Sequence, residues 1–217
     1  METQMTEILL IRHGNTDLST PDCFSNEKNS PDPSLNAKGR DQAERVGMRL
    51  AHSGIKRILS SDLKRTVQTA EAIARHTGIG IELVPALREI DMGRINHCPW
   101  EVFRQEDPEY HDRWHSHSED LPYPGGESGG DVQARAMPVI AALAEEGQGP
   151  VAVVTHGGVI RALVCAALRI GQEKRFYLGP PENTSITVLR FDPETGRFHV
   201  AVMNDSGHLE FDQPTSF

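Results

Sequence analysis

The sequence predicts an α/β fold, a three-layer α/β/α sandwich around a mostly parallel central sheet. Residues 8–11 and 151–154 are continuous aliphatic runs, which is typical of strands buried on both faces of a parallel sheet. Segments with helical spacing of apolar residues alternate with the predicted strands, as a parallel sheet requires. The chain has 217 residues, the length of one domain, and we predict a single domain over residues 1–217.

The first half of the chain contains a long loop followed by two predicted helices. Residues 17–34 are rich in Pro, Ser, Asn and Asp, which predicts a loop, and loops of this length in compact domains are usually functional. Asn36 is the expected N-cap of a helix whose apolar residues recur at helical spacing. Residues 57–62 predict a strand, after which Asp62 is the expected cap of a helix that ends at Gly78.

The middle of the chain combines a short strand, an insertion and a long helix. Residues 79–84 predict a strand that Pro85 stops. Residues 92–126 form a polar insertion with scattered aromatic residues, and we expect helix in its first half. A further helix is predicted over residues 129–146, where Pro138 lacks a backbone donor and should produce a kink.

The chain is predicted to close with a helix and a β-hairpin. Residues 159–168 form an apolar run typical of a buried helix, and residues 185–191 and 198–203 flank a turn-forming sequence. A sheet edge at this hairpin offers a surface for a homodimer. For the following segment, residues 204–209, we predict a structural role.

The composition argues against nucleic-acid and membrane partners. The formal net charge is −9, whereas nucleic-acid binding depends on clustered Lys and Arg side chains. No stretch approaches the roughly 20 apolar residues of a membrane span, and the chain does not begin with a basic segment followed by an apolar one. Three cysteines without paired metal-ligand spacing indicate free thiols in a reducing compartment. We therefore expect a soluble, cytoplasmic protein.

Two predicted strands end in the same His-Gly pair, which is the most informative pattern for function. His13 follows the first strand and is preceded by Arg12, and His156 follows the strand at 151–154. In parallel sheets, ligands bind beyond the carboxyl ends of the strands. Arg65 lies at a similar strand-to-helix junction. Together with Arg12, His13 and His156 it forms a donor-rich set suited to a phosphate dianion. The alternative is that each histidine only caps a strand and satisfies loop hydrogen bonds.

Five sequence blocks occur in order along the chain: LIRHGNT at 10–16, SSDLKRTVQTA at 60–70, LREI at 87–90, PGGES at 124–128 and THGG at 155–158. With these blocks the chain resembles the histidine phosphatase superfamily, which includes the cofactor-dependent phosphoglycerate mutases. The resemblance implies a phosphoglycerate mutase-like fold. It also implies phosphoryl transfer through a phosphohistidine intermediate.

The resemblance also implies roles for individual residues. His13 would be the nucleophile, Arg12 and Arg65 would hold the equatorial phosphoryl oxygens, and His156 would donate to the same group. Glu89 would be the general acid and base, with Asp91 as the next-best carboxylate. Asn15, Ser19 and Gly157 are the expected substrate-binding residues. Gly14 would leave room for the phosphate, and the N–H groups of Gly157 and Gly158 would add donors.

The expected chemistry requires no cofactor and no metal. Four histidines, His97, His111, His115 and His117, raise the alternative of a metal site, because His111 and His115 share a helical face. No acidic or cysteine ligand joins them at a recognisable spacing. We interpret them as part of a solvated helix face.

We predict a metal-independent phosphomonoesterase, a histidine acid phosphatase-type hydrolase, whose partner is a small-molecule phosphate ester. A phosphoglycerate mutase is the alternative within the family, but the mutases carry Arg-His-Tyr-Gly where this chain has IDMG at 90–93. A non-catalytic protein that binds phosphorylated ligands is the alternative outside it. Loop 17–34 and insertion 92–126 should cover the active site and set specificity. Lys28 is either a substrate contact or plain surface.

Overall fold

Over the residues that the structure describes, the fold is a six-stranded sheet with helices on both faces. The structure of the protein, a computed structural model, describes residues 5–17, 32–95 and 100–212. The strands are β1 (Thr6–Arg12), β2 (Arg57–Ser60), β3 (Ile81–Leu83), β4 (Val151–Thr155), β5 (Ile186–Asp192) and β6 (Arg197–Asp205). The α-helices are α1 (Ala37–Leu50), α2 (Lys64–Thr77), α3 (Trp100–Glu106), α4 (Pro108–Ser116), α5 (Gly129–Glu146) and α6 (Gly157–Leu168).

The strand order β3-β2-β4-β1-β5-β6 confirms the predicted architecture. Strands β3, β2, β4 and β1 pair in parallel, whereas β5 and β6 are antiparallel to their neighbours. The two strands that end in His-Gly are adjacent at the centre, with Arg12 opposite Thr155 in register. Their carboxyl ends therefore meet at one edge of the sheet. β6 is an outer strand, and the homodimer expected at this hairpin stays a prediction.

The continuous apolar character of β1 reflects burial on both faces of the sheet. Ile8 and Leu10 belong to the larger apolar cluster, together with residues of α5 and α6. Leu9 and Ile11 belong to a second cluster, together with residues of α1 and α2. Because successive side chains of a strand point to opposite faces, these two clusters form the two interfaces of a three-layer sandwich.

Two of the predicted helix ends are confirmed. The Asn36 side chain accepts a hydrogen bond from the Gly39 N–H at 2.8 Å and so caps α1. Gly78 ends α2 with a φ of 74°, a left-handed conformation that glycine adopts without strain. Both signals are local in sequence, which is why they are readable from it.

The predicted cap of α2 at Asp62 is wrong. The N-cap position is Leu63, and the Lys64 N–H donates instead to Asp32 Oδ2 at 2.7 Å. Asp62 accepts hydrogen bonds from the Arg88 guanidinium. The carboxylate that satisfies this helix end therefore comes from the described end of loop 17–34, a contact between residues far apart in sequence.

The other predicted elements are present, with shifted limits. The strand expected over 79–84 is confined to β3, and α5 runs without interruption through Pro138. The first half of the insertion is helical where it is described, in α3 and α4. Trp114 and Tyr123 are buried in the same cluster as Leu87 and Ile90, so the insertion packs against the segment that carries Glu89. Within the described ranges, every helix is too short or too polar to span a bilayer.

Candidate active site

The carboxyl ends of β1 and β4 bring the two strand-end histidines together. The His13 N–H donates to Thr155 O at 3.0 Å, which ties the two strand ends, and the imidazole centroids of His13 and His156 are 5.2 Å apart in an edge-on arrangement. Both rings are buried, with exposed fractions of 6% and 0%. The pair lies where the sequence pattern predicts it.

The hydrogen bond of His13 fixes which ring nitrogen carries the proton. Nδ1 lies 2.8 Å from Gly14 O, and a carbonyl oxygen can only accept, so Nδ1 is the donor. In the neutral ring, Nε2 then keeps its lone pair. Burial lowers the pKa of His13 well below 6.5, and the charges of Arg65 and Arg12 lower it further. The ring is therefore neutral at neutral pH and has the form that a nucleophile needs.

His156 is also neutral, with the opposite tautomer. Arg65 Nη2 lies 3.1 Å from His156 Nδ1, and a guanidinium can only donate, so Nδ1 is the acceptor. Nε2 must then carry the proton, which it donates to Ser61 Oγ at 3.0 Å. Burial lowers the pKa of His156 well below 6.5, and electrostatic interactions with Arg65, His13 and Arg12 lower it further. Ser61 received no role from the sequence, although it lies in the block at 60–70.

Arg12 lies between the strand end and the loop before β5. Its Nη1 donates to Pro181 O at 2.6 Å. Its Nε is buried and has no hydrogen-bond partner among the described residues. Desolvation by burial lowers the pKa of Arg12, which the charges of Glu89 and Glu182 partly offset. A Cβ atom at Gly157 would lie 3.6 Å from Arg12 Nε, so Gly157 borders this guanidinium.

Glu89 is held by two backbone donors, one of which lies at the start of α6. Its Oε1 accepts from the Ile90 N–H at 2.9 Å, and its Oε2 accepts from the Gly158 N–H at 3.3 Å. A Cβ atom at Gly158 would lie 2.4 Å from Glu89 Oε1, so only glycine allows this approach. The sequence predicts that the Gly158 N–H donates to phosphate. In the structure this N–H donates instead to the carboxylate of Glu89.

An ion pair holds the backbone on both sides of Glu89. Arg135 donates to both carboxylate oxygens of Glu127, at 2.8 and 2.9 Å, and its two terminal nitrogens also donate to Ala86 O at 2.7 Å and Glu89 O at 3.1 Å. Glu127 Oε2 in turn accepts from the Asp91 N–H at 2.9 Å. This contact gives a physical role to the block at 124–128, to which the sequence assigned none.

A cleft of about 420 Å³ borders Glu89 on this side. Its lining is mostly charged and comprises Leu63, Pro85, Arg88, Glu89, Asp91, Glu127 and Arg135. The carboxylate of Glu89 therefore borders a cleft, and the Ile90 and Gly158 N–H groups fix its orientation.

Gly14 is required for a reason other than the one expected. A Cβ atom at this position would lie 2.5 Å from Gly39 O, in α1, so the chain passes too close for any side chain. The Gly14 N–H donates to Thr69 Oγ1 at 3.0 Å. The glycine is explained by packing of the loop after β1 against α1 and α2, whereas the sequence suggested space for phosphate.

Asn15 is held in a network of amide side chains. Its Oδ1 accepts from Asn36 Nδ2 at 2.7 Å, and its Nδ2 lies 3.4 Å from Asn183 Oδ1. Asn183 Nδ2 donates to His13 O at 2.9 Å, so the network ends on the backbone of the histidine. The sequence offered no signal for Asn183, which lies 170 residues after His13.

The segment at 204–209 supports the loop that carries Asn183. Asn204 Oδ1 accepts from the Glu182 N–H at 2.6 Å. His208 Nδ1 accepts from Arg49 and its Nε2 donates to Thr184 Oγ1 at 3.1 Å. These three contacts fit the structural role predicted for this segment.

Several predicted residues lie outside the described residues, namely Ser19, Lys28 and His97. The His111 and His115 rings stack at 4.4 Å, as their shared helical face predicts, and the His117 ring stacks on Phe176 at 4.1 Å. His111 is buried, so the interpretation as a solvated helix face is wrong for this residue. In the described part of the chain, no group of three or more His, Cys, Asp or Glu side chains is arranged to hold a metal ion.

Comparison with known proteins relates this geometry to one family. Residues 8–206 match the family model of the histidine phosphatase superfamily, branch 1. The chain is 34% identical over 213 residues to a protein named probable phosphoglycerate mutase GpmB from Salmonella paratyphi B, covering 95% of this chain and 96% of that protein.

Solved structures with the same fold include two at 30% identity. Mycobacterial glucosyl-3-phosphoglycerate phosphatase has a TM-score of 0.82, covering 94% of this chain and 100% of its own. Bacillus stearothermophilus YhfR has a TM-score of 0.79, with the same coverage of both chains.

Proposed function

The chain belongs to the histidine phosphatase superfamily, branch 1, and from this premise we propose that it is a metal-independent phosphomonoesterase that acts through a phosphohistidine at His13. Superfamily membership makes it an enzyme of phosphoryl transfer, either a phosphatase or a mutase. The observation that carries the proposal is the neutral His13 ring, whose Nδ1 proton is committed to Gly14 O, with Arg12 and Arg65 close enough to lower its pKa.

The first half of the reaction forms the phosphoenzyme. His13 Nε2 attacks phosphorus, the phosphorus–oxygen ester bond breaks, and Glu89 gives a proton to the departing alkoxide. The guanidinium groups of Arg12 and Arg65 hold the equatorial oxygens, since phosphoryl transfer is catalysed mainly by positioning and by positive charge. In the second half, Glu89 takes a proton from water, whose oxygen attacks phosphorus and releases His13.

His156 changes its role when phosphate arrives. In the free enzyme its Nδ1 accepts from Arg65 and carries no proton, and its Nε2 proton is donated to Ser61 Oγ. Neither ring nitrogen can therefore donate to a phosphate. A bound dianion favours the protonated ring. His156 then takes up a proton at Nδ1 from solvent and donates it to a phosphoryl oxygen in place of accepting from Arg65, while Nε2 continues to donate to Ser61 Oγ. Asn15, Gly157 and Ser19 remain proposed binding residues.

A phosphoglycerate mutase is the second candidate, because relatives at 34% identity carry that name. The stretch at 90–93 argues against it, since it lacks the mutases' Arg-His-Tyr-Gly. In addition, the Asp91 N–H and the Gly93 N–H are both committed to carboxylates, those of Glu127 and Asp91. The phosphatase among the solved relatives acts, by its name, on a small phosphorylated metabolite, and we propose substrates of that size.

Hydrolysis of 4-nitrophenyl phosphate in the presence of EDTA tests this function. We expect turnover that survives chelation, because the proposed nucleophile and acid are protein side chains. In parallel, release of phosphate from 3-phosphoglycerate should exceed its conversion to 2-phosphoglycerate. Isomerisation faster than hydrolysis would establish the mutase, and activity only with an added divalent ion would exclude the proposed mechanism.

A further inference from the structure

A group of cationic and aromatic side chains surrounds the Phe176 ring, on the α6 side of the site. The Arg175 guanidinium carbon lies 4.2 Å from the ring centroid and that of Arg161 lies 5.8 Å away. The His117 ring stacks on the same phenyl ring at 4.1 Å. We name the region formed by His117, Arg161, Arg175 and Phe176 the Phe176 recess.

Three polar atoms of the Phe176 recess are buried without a hydrogen-bond partner. They are His117 Nε2, Arg161 Nε and Arg175 Nη2, for which the described residues supply no partner. Arg175 is 2% exposed, so its unsatisfied nitrogen is far from bulk water. Native proteins rarely leave buried donors unsatisfied, and each such group is a sign of a missing partner. The two guanidinium nitrogens can only donate, so their missing partner is a ligand with acceptor atoms.

The charge of the Phe176 recess suits a single negative charge. Arg175 is paired with Asp120, which also accepts from the Gly129 and Gly130 N–H groups. Arg161 forms no ion pair within the described ranges, so its charge is uncompensated there. Burial lowers the pKa of His117, and the charges of His115, Arg175 and Arg161 lower it further, so that ring is neutral. One net positive charge matches a carboxylate better than a second phosphate dianion.

The Phe176 recess lies beside the proposed reaction centre. Arg161 follows Gly157 by four residues on α6, so the two share one helix face, and helical side chains lean toward the N-terminus. Gly157 borders Arg12, and the charge of Arg161 is one of the causes that lower the pKa of Arg12. The pKa of Tyr123 is lowered by the charges of Arg175 and Arg161 and raised by that of Glu89, so Tyr123 lies within reach of all three charges. The alcohol that Glu89 protonates would therefore leave next to this region.

We propose that the Phe176 recess binds a carboxylate on the alcohol part of the substrate, with Arg161 as the main contact. The proposal rests on the proposed function, because it concerns the leaving group of the same reaction. It assigns recognition to α6, to the segment at Arg175 and to the end of α4. The stretch at 90–93, where the mutases grip phosphoglycerate, is not involved.

Binding to a turnover-deficient protein tests the proposal independently of activity. The probes are 3-phosphoglycerate and glycerol 3-phosphate, which share a three-carbon phosphate ester and differ in a carboxylate against a hydroxymethyl group. Titration of the full-length His13→Ala variant should give a dissociation constant about 10- to 100-fold lower for 3-phosphoglycerate, the range of a charge-assisted hydrogen bond. Adding Arg161→Met should remove this difference, whereas adding Arg197→Met, which removes an exposed charge at β6, should not.

Steady-state kinetics on the native protein provide the second measurement. The ratio of kcat/KM for the same two esters should fall toward one in Arg161→Met and keep its native value in Arg197→Met. Equal binding of the two esters, or a preference that survives Arg161→Met, would overturn the proposal. Absence of hydrolysis with the binding preference intact would instead count against the proposed function alone.

Discussion

Replacing His13 by alanine is expected to lower turnover of any phosphate ester by at least about 10⁴-fold, because the substitution removes the proposed nucleophilic nitrogen. The fold should persist. Among the described residues, the His13 ring hydrogen-bonds only to Gly14 O, and the contacts of the His13 backbone with Thr155 and Asn183 do not need the side chain. The rate is measured with 4-nitrophenyl phosphate, and the fold is checked by circular dichroism and thermal unfolding.

His199 provides a matched control for this experiment. It is an exposed histidine on β6, far from the strand ends that form the site. His199→Ala should keep native turnover, which separates loss of the nucleophile from loss of any imidazole. A folded His13→Ala variant with native turnover would remove the mechanism.

Glu89→Gln should have the second largest effect, and the effect should depend on the leaving group. An alkyl phosphate releases a strongly basic alkoxide that needs a proton, so its hydrolysis should slow by about 10²- to 10⁴-fold. An aryl phosphate releases a stable phenolate, so formation of the phosphoenzyme should be much less affected. The measurement is the pre-steady-state rate of alcohol or phenol release from each ester.

Glutamine also changes how the side chain is held, which calls for a control. Both carboxylate oxygens of Glu89 accept from backbone N–H groups, and an amide can accept at only one of them. Misplacement of the side chain would slow both ester types alike. The control is Asp91→Asn, which removes a carboxylate two residues after Glu89. It should leave the ratio of alkyl to aryl rates at its native value. An equal loss for both esters in Glu89→Gln would mean that misplacement accounts for the whole effect, which would contradict the predicted dependence on the leaving group.

The sequence predicts the sheet and the positions of the histidines because these depend on local patterns. Continuous apolar runs identify the central strands, and the residues after them necessarily lie at the carboxyl edge of the sheet. The cap at Asn36 and the end of α2 at Gly78 are likewise determined within a few residues. For the same reason, the location of His13 and His156 follows from the sequence.

The contacts that orient the site are not predictable in this way, because they join distant segments. Asp32 replaces Asp62 at the start of α2, and Gly14 is required by a carbonyl of α1. Arg135 reaches across 46 residues to the backbone of Glu89, and Asn183 across 170 to that of His13. A sequence pattern shows that such residues are polar or small, and only the fold shows what they contact.

The most direct test of the mechanism is to identify the phosphorylated residue during turnover. Native protein is mixed with an aryl phosphate, quenched in alkali within the first turnover, digested and mapped by mass spectrometry. Alkaline quenching is chosen because a phosphorylated imidazole survives in base and is lost in acid. We expect one modified peptide, with the phosphoryl group on His13. Phosphate on another side chain, or unmodified protein while product forms, would contradict the account.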